Sequence, residues 1–322
     1  MFSSNLRWRR NWLIKHATEV PMTQTDKIAI IGSGGIGGYL AASLVRGGHK
    51  PMLCVRTAFD TLRIEEKGNT YTVDLPIVSD PAGVAGPARW VLITTKANDT
   101  PSTEPWLKAL VDDKTTVVVV QNGVNQEQRV LPYVPEGTTV LPAVIYCAVE
   151  RKAPGLIVHH GAARIQVPEG SEGAAFDTLF DRSGFEIVQD SDFKTVAWRK
   201  LLSNAVANAI TALTLRRMSV FMEEPVRQLA GELLEEVIAV AQAEGAAVTR
   251  EDGDAILKSY DRISNGGTSM LYDRLLGREL EHKFITGAVV EAAGRHGIAV
   301  PVNRTISALL SAASGHKPDG SA

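Results

Sequence analysis

The chain has 322 residues, 44% of them hydrophobic and 22% charged, and a formal net charge of −2. That length suits about two domains, and charge so evenly balanced gives no general affinity for nucleic acid or membrane. No apolar run is long enough to span a bilayer. The two cysteines, Cys54 and Cys147, sit inside strand-like runs and make neither a disulfide framework nor a metal site, which points to a reducing, cytoplasmic setting.

Residues 1–21, MFSSNLRWRRNWLIKHATEVP, differ in character from the rest of the chain. They are basic, carry Trp8 and Trp12, and lack the apolar core of a secretory signal. The segment is expected to be a disordered extension, with Met22 opening the natural chain; a targeting peptide is the lesser alternative. Lys27 to Ile31 is a short β-branched run ending in Gly32 and predicts a buried strand. A helix is expected from Gly35 to Arg46, stopped by Gly47 and Gly48. Met52 to Val55, Val91 to Thr95, Thr116 to Val120 and Thr139 to Tyr146 read as further strands, separated by helical or loop-like sequence. Such alternation predicts a parallel sheet with helices on both faces. Leu156 to His159 and Ala163 to Val167 are two short strand-like pieces. From about Asp192 helical periodicity takes over, at Lys194–Leu215, Glu223–Glu244, Glu251–Ile263, Ser269–Leu276 and Leu280–Arg295. A boundary near 190 therefore separates an α/β domain, 22–190, from an all-helical domain, 191–322, whose tail SGHKPDGSA is expected to fray.

Two motifs carry chemistry. Between the first strand and helix stand Gly32, Ser33, Gly34, Gly35, Ile36 and Gly37, with glycines at the Gly-x-Gly-x-x-Gly spacing. The first glycine permits the tight turn, the second lets a pyrophosphate approach the backbone, and the third allows close helix–strand packing. The helix N-terminus offers free N–H groups and partial positive charge to the phosphates. The second strand ends in Cys54-Val55-Arg56-Thr57 where binders of the unphosphorylated dinucleotide place an acid for the ribose. Arg56 can pair with a 2′-phosphate instead, with Thr57 as an extra donor, so NADPH is the expected cofactor.

The second motif is WRKLLSNAVANAITAL, where Lys200, Asn204 and Asn208 recur every fourth residue on one face of a helix that is otherwise apolar. A surface helix shows the reverse pattern. A polar stripe about 12 Å long on a buried helix suits a wet internal cleft and a small polar ligand. The alternative is a polar seam satisfied by a neighbouring helix or a dimer partner. Lys200 is the hardest to explain structurally, since so apolar a helix gives an unpaired ammonium no cheap environment.

These residues, taken with Thr95-Lys96-Ala97, Gln121-Asn122-Gly123, Ala153-Pro154-Gly155 and Ser269-Met270-Leu271 through Gly277-Arg278 to Glu281, resemble the ketopantoate reductase (2-dehydropantoate 2-reductase) family from about Lys27 to Leu310. The resemblance implies a Rossmann-type domain followed by an all-α domain like the C-terminal domain of 6-phosphogluconate dehydrogenase. It implies NADPH-dependent reduction of a small 2-oxo acid, in the cleft between the two. Carried over by position, Lys200 looks like the catalytic general acid. Asn204 and Asn208 look like substrate carboxamides, and Ser269 like the serine that holds the substrate carboxylate. Asn122 would sit between nicotinamide ribose and substrate, and Glu281 looks like a second catalytic residue, near both the cofactor and the lysine, where it would orient both. Lys96 and Ala148 fall where the family contacts the dinucleotide. Ser269 could also merely cap its helix.

Departures from the pattern lie at the rim. Lys283 and Thr286-Gly287 replace an acid and an Asn-Gly pair, and Leu215-Arg216-Arg217-Met218 replaces a glycine- or asparagine-bearing stretch. Arg216 or Arg217 would pair with an extra anionic group or lie in solvent. A lysine followed by asparagine four residues on also resembles related β-hydroxyacid dehydrogenases. A sister enzyme for another 2-oxo or 2-hydroxy acid therefore stays open, as does a non-catalytic dinucleotide sensor. The apolar faces of the helical domain permit a homodimer.

Overall fold

The computed structural model describes residues 27–262 and 266–318. The expectation for residues 1–21 lies outside them. Six strands form a parallel sheet: β1 (Ile28–Ile31), β2 (Met52–Cys54), β5 (Ile77–Val78), β6 (Trp90–Ile93), β7 (Thr116–Val119) and β8 (Thr139–Pro142), in the spatial order β5-β2-β1-β6-β7-β8. The central strands are buried along their whole length, as β-branched runs covered on both faces must be. The chain leaves β1 in one direction for β2 and returns on its other side at β6. The crevice beyond the carboxyl ends of β1 and β6 is thus the topological switch point, where open α/β sheets bind ligands.

Helices lie on both faces of this sheet, as expected, but the two faces are not covered alike. One face receives α2 (Glu104–Leu110), through Trp106, Leu107 and Leu110 against Ala29, Ile31, Val91 and Val117. The other receives α1 (Gly35–Arg46), and α1 is covered in turn by a second sheet. That sheet runs β11 (Glu186–Asp190), β10 (Leu156–Pro168), β3 (Leu62–Glu66), β4 (Asn69–Val73), with β9 (Val144–Ala153) also paired to β10. Leu40 and Leu44 of α1 share a core with Leu62, Ile64 and Ile157. A Cβ on Gly38 would lie 2.7 Å from Ile157 Cγ1, so helix and sheet meet at a glycine. Glu66 stitches the layers together by accepting from Tyr39 (2.9 Å), Arg46 (2.9 Å) and the His159 ring (2.8 Å).

Two strand boundaries also shift. The run Thr139 to Tyr146 is split at Ala143, where the chain leaves the first sheet as β8 and enters the second as β9. The two pieces after Gly155 are one strand, β10, whose register against β9 breaks between His159 and Ala163.

The helical domain is built round α5 (Phe193–Thr214), with α6 (Glu224–Ala243), α7 (Arg250–Tyr260), α8 (Ser269–Leu275), α9 (Thr286–His296) and α10 (Pro301–Ala313). Asp192 caps α5 by accepting from the Thr195 N–H (3.2 Å), a contact worth about 1 kcal/mol. Leu201, Leu202, Ala205, Val206, Ala209 and Ile210 of α5 join Leu233, Val237, Val289 and Leu310 in one core.

Three expectations change here. α10 has no counterpart among the helices expected from the sequence. The helix placed at 280–295 is broken: Glu281–Phe284 is a 3-10 turn, and Ile285 (φ −116, ψ −91) separates it from α9. The tail does not fray at its start. Ser314 Oγ accepts from the Leu280 N–H (2.9 Å), the Gly315 N–H donates to Arg278 O (3.1 Å), and the Arg274 guanidinium reaches the His316 carbonyl. No helix among the described residues is long and apolar enough to cross a membrane.

Candidate active site

The glycine turn has the geometry its spacing requires. Gly32 has φ +111, and a Cβ there would lie 2.9 Å from the Thr95 nitrogen. A Cβ on Gly37 would lie 2.0 Å from Gly32 O and 2.3 Å from Thr94 Oγ1, which itself donates to Gly32 O (2.9 Å). At Gly34 a Cβ would meet nothing within 4 Å. Two glycines are thus demanded by protein packing, while the middle one borders open space on the ligand side. No side chain caps α1, so its first N–H groups are free for an anion. The residues present fit a dinucleotide pyrophosphate.

Around the turn, Ala148 is exposed on β9, next to Val149, whose Cγ2 lies 3.1 Å from the Cβ position of Gly35. Arg56 is exposed just beyond β2. Its charge is felt by Arg151 on β9, whose guanidinium is pushed below its ordinary range by burial first, then by Arg278 and Arg56. Arg151 thus feels the charges of arginines from both domains, opposed in part by Asp273. Of the three arginines, Arg56 and Arg278 stand out in the sequence, Arg278 in the Gly277-Arg278 motif, and Arg151 does not.

Across the crevice a buried polar chain joins the domains. Glu281, 4% exposed, accepts from Lys96 Nζ (3.2 Å), the Ala97 N–H (2.9 Å) and Asn122 Nδ2 (3.2 Å). Asn122 Oδ1 in turn accepts from Asn204 Nδ2 (3.3 Å) on α5. Burial alone would raise the Glu281 carboxyl. The Lys96 charge and these donors outweigh it and hold it below the ordinary carboxylate value, so it is ionised. Lys96 also pairs with Asp273 Oδ2 (2.7 Å), an acid 5% exposed on α8. Burial would lower the Lys96 ammonium, but the Glu281 and Asp273 charges raise it above its usual value. Asp273 was missed from sequence, although an acid three residues after buried Met270 on an apolar helix face is a readable signal.

The Asn122-Gly123 turn fits against the 3-10 turn with little clearance. Gly123 has φ +96, and a Cβ there would lie 2.4 Å from Phe284 O. Arg129 pins the same turn, donating to Gln121 Oε1 (3.0 Å) and Asn122 O (3.2 Å) while stacking 4.4 Å from the centre of the Phe284 ring.

Lys200 stands one turn before Asn204. Its Nζ lies 4.4 Å from the centre of the Tyr146 ring, with no carboxylate at ion-pair distance among the described residues. Burial, and then the charge of Arg164, bring its ammonium down to about 8. Glu281 holds Lys96 rather than Lys200. Asn208, further along the stripe, is 5% exposed. Ser269 is exposed at the first position of α8. The cap there is Thr268, which accepts from the Leu271 N–H (3.2 Å) and pairs with Thr211 of α5 (2.7 Å), so Ser269 is not needed for capping.

Against known proteins, the family model described as ketopantoate reductase PanE/ApbA matches residues 28–172, and the model of its C-terminal domain matches 192–314. The chain is 37% identical over 291 residues to a 2-dehydropantoate 2-reductase of Caulobacter vibrioides, covering 89% of this chain and 99% of that one. It is 36% identical over 289 residues to one from Mycobacterium tuberculosis, covering 89% and 97%. The chain belongs to the ketopantoate reductase family. A solved structure described as a dimeric ketopantoate reductase from Staphylococcus aureus superposes with a TM-score of 0.82 at 26% identity, covering 89% of this chain and 98% of that one.

As a ketopantoate reductase relative, the protein is an oxidoreductase acting on a CH–OH centre with a nicotinamide dinucleotide. The rim residues that depart from the family pattern have surroundings of their own, although Lys283 shares the 3-10 turn of Glu281. Arg216 pairs with Glu223 (2.5 Å). Thr286 is fully buried and donates to His282 O (3.3 Å). Lys283 lines a groove of about 410 Å³ with Val290 and Arg304 on α9 and α10.

Proposed function

We propose that the protein reduces 2-dehydropantoate to pantoate with NADPH, and that Lys200 is the general acid. The observation that carries this reading is the state of Lys200: half-buried, without an acid partner, its ammonium brought down to about 8, and one helical turn from Asn204. A proton donor works best with a pKa near the working pH. An ammonium freed from ion pairing is available to the oxygen where charge develops.

NADPH would supply the hydride to the keto carbon when bound. Gly32 to Gly37 would hold its pyrophosphate on the α1 N-terminus and Arg56 its 2′-phosphate, with Ala148 and Lys96 flanking the dinucleotide. Glu281, held ionised by Lys96, would orient Asn122 at the nicotinamide ribose. Asn204, Asn208 and Ser269 would bind the substrate, and Lys200 would bond the keto oxygen and release its proton there as the alcohol forms.

The test is NADPH oxidation by purified protein lacking residues before Met22, offered 2-dehydropantoate and a panel of other 2-oxo acids. A strong preference for 2-dehydropantoate is the expected result. Turnover confined to another acid would replace it with the sister activity to which Lys283 and Thr286 point as departures from the family pattern. Tight NADPH binding without turnover of any 2-oxo acid would refute a catalytic role altogether.

A further inference from the structure

Side chains on β9 and β10 alternate between two environments, as strand geometry requires. Cys147, Val149, Ala163 and Ile165 pack toward α1 and the first domain's core. Tyr146 and Arg164, which face each other across the β9–β10 pair, belong to the opposite face, where Tyr146 packs against the helical core. Lys200 meets them there. Its Nζ lies 4.4 Å from the centre of the Tyr146 ring, and the guanidinium carbon of Arg164 lies 4.8 Å from the same centre. Two cations thus share one aromatic ring on the wall of the interdomain crevice.

Neither cation has an acid at ion-pair distance among the described residues, and the nearby charged groups are already engaged. Arg199, next to Lys200 on α5, is tied to Asp252 of α7 (3.0 Å). Glu281 is occupied by Lys96, Ala97 and Asn122. Tyr146 is held neutral at ordinary pH: burial raises its hydroxyl against the opposing charges of Arg164 and Arg199. The cation–π contacts offset only part of the repulsion between two neighbouring positive charges. An anion placed beside both would relieve it.

We propose that Arg164 is a substrate-binding residue that receives the carboxylate of the 2-oxo acid, leaving Lys200 to the keto oxygen; this rests on the proposed 2-oxo acid reduction and names a residue of that same site. A 2-oxo acid carries its carboxylate and keto oxygen on adjacent carbons, so it needs two different donors side by side. The planar guanidinium matches a carboxylate with two parallel N–H groups, whereas an ammonium is a point donor suited to a single oxygen. Ser269 adds a neutral hydroxyl. Neutralising Arg164 with the substrate's own carboxylate also removes one of the two causes that depress Lys200. The bound acid therefore strengthens the lysine's hold on its proton just before the proton is needed.

The experiment compares kcat/KM for the preferred 2-oxo acid with that for its methyl ester, in the parent enzyme, Arg164→Gln and Arg164→Lys. The preference for acid over ester should fall by ~10–100-fold in Arg164→Gln, and part of it should return in Arg164→Lys. The alkaline limb of the ester's pH profile should move up from about 8 in Arg164→Gln alone. A preference that stays unchanged overturns the proposal, and so does an equal loss on acid and ester, which would mark Arg164 as merely structural. A parent enzyme that turns over no 2-oxo acid is a separate failure. It refutes the function reading before any substitution is made.

Discussion

Replacing Lys200 by Met keeps the aliphatic stem and removes the charge, which separates the two consequences of its burial. Bringing the ammonium from 10.5 to about 8 means that the charged form is disfavoured in the fold, by roughly 3 kcal/mol. The substitution removes that cost, and it also removes the contact with the Tyr146 ring, worth about 0.5–2 kcal/mol. Lys200→Met should therefore be more stable than the parent by roughly 1–2 kcal/mol, while its turnover number falls by ~10²–10⁴. The difference depends on pH in a definite direction. A lysine with a depressed folded value destabilises the fold fully below about 8 and progressively less as pH rises toward 10.5. The variant's advantage in urea denaturation should be largest at neutral pH and vanish near the top of that window. Parent kcat/KM, which reports the free enzyme, should be flat below about 8 and fall above it as the donor loses its proton. A variant that is less stable at neutral pH would show that Lys200 is not a strained cation. One whose only defect is a raised KM would make it a ground-state binding residue instead.

Arg56→Ala should weaken NADPH by ~10–100-fold and leave NADH almost unchanged by fluorescence titration; equal losses would remove Arg56 from the 2′-phosphate. Gly123→Ala forces a Cβ to 2.4 Å from Phe284 O in a backbone with φ +96. It should cost about 1–3 kcal/mol in the urea midpoint and lower kcat by displacing Asn122 from Glu281; an unchanged midpoint would refute the packing argument. Ending the chain at Ala313 removes the partners of Leu280, Arg278 and Arg274. Turnover should drop by up to ~10²-fold with the circular dichroism spectrum retained, and an unaffected rate would show that Glu281 needs no such brace. Glu281→Gln should flatten the acid limb of stability. The depressed carboxylate stabilises the parent above its ordinary value of about 4.3 and stops doing so as pH falls through the lower folded value, so a variant with the parent's acid limb would refute the role given to its charge.

What could be read from the sequence was what is local. The Gly32–Gly37 turn and the Lys200/Asn204/Asn208 stripe each lie within one turn or helix, so their spacing alone fixes which side chains share a face. The second sheet was not readable in the same way. β3 and β4 are short strands paired across the Lys67-Gly68 turn, with Leu62, Ile64 and Val73 the only residues they bury, and the β10 partner of β3 lies far along the chain. The failure at 280–295 is more instructive. Leu280 to Arg295 carries helical periodicity, and a continuous helix satisfies it locally. Tertiary demand overrides that preference: Glu281 must reach Lys96, 185 residues away, and the 3-10 turn with the break at Ile285 delivers its carboxylate inward. Arg164 eluded sequence reading for a related reason. Its relevance depends on the register that sets it opposite Tyr146 and on the helix that brings Lys200 to the same ring. The residues that sequence spacing identifies are those held by one element. The residues that tune them, Arg164, Asp273 and Arg151, act across elements, so the site's acidity and charge balance emerge only when both domains are folded against each other.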